Sequence, residues 1–132
     1  MTVPAGQNYN MKLSELRSPI LENKGKGWIG VDLDATLAIF TTWKGIEHIG
    51  EPIPAMIEKV KRGLKDGKKF KIMTARVSPK QKDHKKAEKY IKDWCKEHIG
   101  QILPVTHEKD QYMKELWDDR VRQVKKNKGT FV

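Results

Sequence analysis

Apolar residues fall into short blocks separated by glycine, proline and charge, and the blocks carry two different periods. Trp28-Ile29-Gly30-Val31-Asp32 is a short, mainly apolar run entered from a glycine-rich turn and left through acidic residues, which predicts a buried central strand. Residues 35–52 hold β-formers, among them Ile39, Phe40, Trp43, Ile46 and Ile49, interrupted by Gly45 and Gly50. That pattern predicts a hairpin or flap. Pro52 and Pro54 then open a stretch in which Ile53, Met56, Ile57, Val60 and Leu64 recur at three- and four-residue spacing, predicting a helix that ends near Asp66-Gly67. Phe70-Lys71-Ile72-Met73-Thr74 reads as a second strand. Ser78-Pro79 starts a long helix whose apolar face is Ala87, Tyr90, Ile91, Trp94 and Cys95, with lysines on the outside. Residues 101–105 predict a third strand and Glu115-Leu116-Trp117 a fourth. Ahead of all of them, residues 1–26 contain Pro4, Gly6, Pro19 and Gly25 and only a short apolar pattern, so they read as a partly ordered arm.

The order strand, helix, strand, helix, strand, strand is an α/β order, whose default is a mostly parallel sheet with helices on its faces. At 132 residues the chain has room for one domain, placed at residues 27–132. It is polar, with 37% hydrophobic and 33% charged residues, yet the apolar clusters are sufficient to build a core. No apolar run approaches the roughly 20 residues that span a bilayer, and the N-terminus lacks the apolar segment of a secretory signal, so the expected location is cytoplasmic. Cys95 is the single cysteine and has no Cys or His neighbours at zinc-ligand spacing, which excludes a disulfide scaffold and a structural zinc site. His48, His84, His98 and His107 show no ligand spacing either. The net charge of +10 points to an anionic partner, although lysine-rich helix faces also serve solubility alone.

In an open parallel sheet, ligands bind beyond the carboxyl ends of the strands. Those positions are chemical in this chain. The first strand ends in Asp32-Leu33-Asp34-Ala35-Thr36 and the second in Thr74-Ala75-Arg76; the third is followed by Lys109, and the fourth ends in Asp118-Asp119-Arg120. If the sheet forms as predicted, Asp32, Asp34, Asp118 and Asp119 converge at one edge, where mutual repulsion calls for a cation, and oxygen-only ligands favour Mg²⁺. A metal on carboxylates, a hydroxyl at Thr74 and an ammonium at Lys109 suit a phosphoryl group, leaving one aspartate to attack it.

These motifs, in this order over residues 29–119, resemble those of the haloacid dehalogenase (HAD) superfamily of phosphohydrolases. The resemblance implies a Rossmann-like three-layer α/β/α fold with a short flap after the first strand. It implies Asp32 as nucleophile through an aspartyl phosphate and Asp34 as general acid and base, with Thr74, Ala75 and Lys109 around the phosphoryl oxygens. It also implies Mg²⁺ held by Asp32, by the backbone carbonyl of Asp34 and by Asp119, with Asp118 beside them. Ala35 departs from the family, which often carries Gly there.

Neither interval between motifs has room for a cap domain, so the site is expected to be open, shielded by the flap around Trp43. An open site in this family suits bulky substrates or small ones enclosed by an oligomer partner. Asp118-Asp119-Arg120 and Thr74-Ala75-Arg76 are similar to motifs of phage polynucleotide kinase 3′-phosphatase domains and of 5′(3′)-deoxyribonucleotidases. The expected activity is therefore an Mg²⁺-dependent phosphatase acting on a phosphorylated nucleotide or polynucleotide end. Arg76 and Arg120 are candidates to grip a second phosphate. Trp43 either stacks on a base or anchors the flap, with anchoring favoured. The basic helix over residues 79–98 either follows a nucleic-acid backbone or is a solvated face. The rivals are a catalytically silent nucleic-acid-binding module of the same fold, or a phosphatase of another monoester such as a phosphoprotein or sugar phosphate.

Overall fold

Four buried residues in a row make Trp28–Val31 the strand β1, and burial along its whole length means that both of its faces are covered. The structure is a computed structural model and describes residues 27–132; the expected arm over residues 1–26 lies outside the described residues. Helix α1 is Pro54–Lys65. Proline at its first turn costs no hydrogen bond, and Ile57 and Val60 lie on its buried side, each contributing about 1.5–3 kcal/mol. It stops where Gly67 takes φ +88°, a conformation glycine adopts without strain, so the expected end near Asp66-Gly67 is borne out. Strand β2 is Phe70–Met73, a 3₁₀ turn covers Ala75–Val77, and helix α2 is His84–His98. Strands β3 (Val105–Thr106) and β4 (Met113–Trp117) complete the sheet.

The sheet is all parallel with order β3-β2-β1-β4. β1, β2 and β3 step in one direction, and right-handed crossovers then place both helices on the same face. The core agrees, because Ile29, Val31, Phe70 and Ile72 join Ile57 and Val60 of α1 and Ala87, Ile91, Trp94 and Cys95 of α2 in one cluster. No α-helix among the described residues covers the other face. It is crossed instead by the β3–β4 connection, residues 107–112, in which Asp110 accepts a 2.9 Å hydrogen bond from Trp28 Nε1 and pairs with Lys71 at 3.9 Å. The described residues therefore build two layers of regular structure, where three were expected. The α/β class and the parallel sheet stand as expected. No helix among the described residues is long and apolar enough to cross a membrane.

Four details differ from expectation, the first being that the third strand, expected over residues 101–105, is confined to Val105–Thr106. α2 begins at His84 rather than near Ser78-Pro79, because residues 79–83 form turns and offer no apolar side chain before Ala87 to hold them on the core. Tyr90 lies off the buried stripe and is 38% exposed. The segment 35–52 makes only a short antiparallel stem, in which Ile39 N–H donates to Glu51 O and Ile53 N–H to Leu37 O. Ile39 on that stem and Phe40 and Trp43 beyond it are exposed, and with so little apolar surface buried their β-propensity builds no longer strand.

Candidate active site at the carboxyl edge of the sheet

The register of three neighbouring strands sets the site. Val31 pairs with Ile72 and with Trp117, so Asp32 stands level with Met73 on one side and Asp118 on the other. Asp32 N–H donates to Trp117 O at 2.9 Å, which locks the ends of β1 and β4 together. As a result one carboxylate oxygen from each of Asp32, Asp118 and Asp119 lies within 4.8 Å of the others. Asp32 and Asp118 are half-buried and Asp119 is exposed.

This crowding has an electrostatic consequence. Burial pushes the Asp32 carboxyl up to about 7, and the negative charge of Asp118 and the shared hydrogen bond with Asp119 add to it, while the Leu33 N–H works in the opposite direction. Each neighbour is fixed in turn. Asp118 Oδ1 accepts Arg120 N–H at 2.8 Å, and Asp119 Oδ1 accepts the hydroxyl of buried Thr36 at 3.2 Å. Thr36 completes the motif quoted from the sequence, but its grip on Asp119, 83 residues away, had no signal there. The donor set is oxygen-only, held by two strand ends and short of positive charge. It fits a hard divalent cation such as Mg²⁺, with Asp32, Asp118 and Asp119 as the side chains to hold it.

Asp34 does something else. Its carboxylate forms a two-armed pair with Arg76, with Nε to Oδ2 at 2.8 Å and Nη2 to Oδ1 at 2.9 Å, and its side chain is not part of the cluster. Arg76 Nη1 also donates to Ile46 O, and the Arg76 guanidinium packs over the Trp43 ring at 4.7 Å. Arg76 is 8% exposed, so the guanidinium expected to grip a second phosphate is occupied inside the protein. Trp43 fits its anchoring reading, since it reaches Arg76 from the flap while staying 54% exposed. Asp34, Arg76, Phe40, Thr42 and His48 line a cavity of about 320 Å³ beneath the flap.

Thr74 is buried at the end of β2, one residue beyond the level of Asp32, and its hydroxyl accepts Arg76 N–H at 3.1 Å. Ala75, exposed, opens the 3₁₀ turn beside it. Lys109 is exposed and, among the described residues, forms no ion pair within 4.0 Å. It lies on the β3–β4 crossover, where the next residue, Asp110, is pinned to Trp28 and Lys71. The structure therefore brings Asp32, Asp118 and Asp119 together and keeps Thr74 and Ala75 at the same edge, while Lys109 makes no ion pair with any of the three carboxylates. Arg120 is exposed beside it, with its backbone committed to Asp118.

No protein family, curated protein or solved structure matches the chain. The site is thus read on its own geometry.

Proposed function

We propose that the chain is an uncapped HAD-type, Mg²⁺-dependent phosphatase that works through Asp32, with a phosphorylated nucleotide or polynucleotide end as substrate. The observation that carries this reading is the convergence of Asp32, Asp118 and Asp119 at the carboxyl edge of a parallel sheet, with the Thr74 hydroxyl alongside. An Asp32 oxygen attacks phosphorus, and the bond from phosphorus to the ester oxygen breaks. The departing oxygen takes a proton from Asp34. Water then attacks phosphorus, leaves its proton on Asp34 and releases Asp32 with the original carboxylate restored. Asp32, Asp118 and Asp119 would hold Mg²⁺, which would supply positive charge to offset the crowded carboxylates and the charge of the phosphoryl group. In its proton-carrying role Asp34 uses the lone pairs that the Arg76 guanidinium leaves free, one on each carboxylate oxygen.

The Asp34–Arg76 pair, which commits the expected phosphate-gripping guanidinium inside the protein, favours one rival: a binding module with the same fold and no turnover. Phosphate release from mononucleotides, phosphorylated oligonucleotides, sugar phosphates, phosphopeptides and p-nitrophenyl phosphate separates the two. The expected result is Mg²⁺-dependent release that Asp32→Asn abolishes while circular dichroism stays unchanged. Release that survives Asp32→Asn, or that ignores a chelator, removes the mechanism; silence on every substrate by the folded protein establishes the rival.

A further inference from the structure

Beyond the carboxylate cluster, the same edge of the sheet carries an uneven distribution of charge. β4 delivers the chain to that edge at Asp118-Asp119, and no acidic residue follows. Arg120, Arg122, Lys125, Lys126 and Lys128 do follow, all exposed, and among the described residues none of them is in an ion pair. Nor are they on loose chain. Residues 123–132 fold into a small hairpin: Val124 and Phe131 form an antiparallel bridge, Lys125 N–H donates to Thr130 O at 2.8 Å and Val132 N–H to Gln123 O at 3.0 Å. Lys126 and Lys128 sit on its turn, where Asn127 and Gly129 take positive φ. Phe131 is 54% exposed, and Arg122 lies over its ring at 3.8 Å.

The second flank lies across β1. α2 follows β2, so its amino end and the turns before it stand at the same edge as Asp32. Lys80, Lys82, Lys85 and Lys86 are there, exposed and without ion-pair partners among the described residues. Farther along the helix two of the three lysines are matched among the described residues, Lys89 with Asp93 and Lys92 with Glu88, and Lys96 is not. Positive charge is thus in excess where α2 approaches the carboxylates, four lysines against Asp83 alone, and is mostly paired farther along.

We infer that the hairpin 123–132 and the amino end of α2 form two banks of a track for a single-stranded polynucleotide, which holds the strand while its phosphorylated end reaches Asp32. The inference rests on the phosphatase reading, because the carboxylates are what set a phosphorylated end between the banks. Repeating phosphodiesters supply anions to both banks at once, which a mononucleotide or a sugar phosphate is too short to do. Exposed Phe131 amid arginine and lysine is the combination that binds single strands, whose bases are free to stack, and not duplexes, whose bases already stack on one another. The chain between Asp119 and the hairpin is four steps long, about 14 Å at full extension, so the hairpin stays within a few nucleotides of the cluster.

The test is fluorescence anisotropy of 5′- and 3′-phosphorylated single-stranded oligonucleotides, a phosphorylated duplex and a mononucleotide on the Asp32→Asn protein, over a salt series. Phosphate release by the unaltered chain from the same ligands and from p-nitrophenyl phosphate runs beside it. The expected result is affinity that rises with strand length, with a log–log salt slope of about −2 or steeper. Lys125→Glu/Lys126→Glu is expected to weaken the oligonucleotide at least about tenfold and to flatten the slope, and Phe131→Ala to weaken it by about tenfold at high salt, where stacking outlasts charge. Lys89→Glu, on the matched part of α2, is expected to do neither. Equal affinity for mononucleotide and oligonucleotide, preference for the duplex, or binding to phosphatidylserine vesicles without oligonucleotide binding overturns the track. Release from p-nitrophenyl phosphate with no preference for strands sinks the track and spares the phosphatase; strand binding with no release from any ligand sinks the phosphatase and spares the track.

Discussion

Ala35 is held at φ +72° in the turn that carries Asp32 and Asp34 past the end of β1. A side chain in that region costs about 1–2 kcal/mol, whereas the extra freedom of glycine in the unfolded chain costs about 0.4–1 kcal/mol. The first term is the larger. Ala35→Gly is therefore expected to stabilise the protein by about 0.5–1 kcal/mol, read as a rise in urea midpoint at constant slope. The turn tolerates the strain because it is over-determined: the Leu33 carbonyl accepts from the amides of Thr36, Leu37 and Ala38, and Ala35 N–H donates to Ala38 O. A midpoint that falls on Ala35→Gly removes the strain argument. Cys95 is the opposite kind of residue, with no chemistry to offer, since burial pushes its thiol up to about 11 and leaves no thiolate at neutral pH.

At the scale of elements, the flap is held down by three contacts with different partners. Its stem closes where Gly50 passes Ile39 O, so near that a Cβ at position 50 would collide with that oxygen. Trp94 of α2 donates to Gly50 O at 3.1 Å, and Arg76 reaches Asp34, Ile46 and Trp43 at once. A lysine cannot reproduce the two-armed geometry, so Arg76→Lys is expected to cost about 1.5–3 kcal/mol and to speed tryptic cleavage at Lys44 in the flap. Trp43→Ala, which removes only the ring beneath the guanidinium at an exposed site, is expected to cost about 0.5–1 kcal/mol. Equal loss in the two variants would mean that the Asp34–Arg76 pair contributes nothing. Helix α1 and strands β1 and β2 were legible because their apolar spacing is local: Ile57, Val60, Val31 and Ile72 announce themselves within a few residues. The Asp34–Arg76 pair spans 42 residues and the Thr36–Asp119 bond 83, so no local pattern encodes either. The start of α2 was misplaced because residues 79–83 are polar and carry no period.

For the whole molecule, the three crowded carboxylates couple folding to both pH and metal. In the unfolded chain Asp32 has the ordinary value of 3.8, and in the metal-free fold it is pushed up to about 7. Between those values the native state holds more protons than the unfolded one, so this group's stabilisation is present in full below about pH 4 and is lost as pH rises through about 7. Asp110 acts in the other direction: its bonds from Trp28 Nε1 and the Tyr112 amide lower its pKa, so its contribution is present above its ordinary range and is lost on acidification. Weakening toward neutral pH thus belongs to Asp32, and weakening in acid includes Asp110. A divalent cation binds the deprotonated cluster and competes with protons, so its stabilisation must grow with pH. In the presence of a chelator, the thermal midpoint of the unaltered chain is expected to fall relative to Asp32→Asn as pH rises from about 4 to about 7. Millimolar Mg²⁺ is expected to raise the midpoint more at pH 8 than at pH 5 and to have much less effect on Asp32→Asn. Scanning calorimetry of both proteins, with and without Mg²⁺, reads all of this at once. A constant difference between them across that range would detach Asp32 from the pH dependence, and an equal Mg²⁺ shift at both pH values would place the ion elsewhere on the molecule.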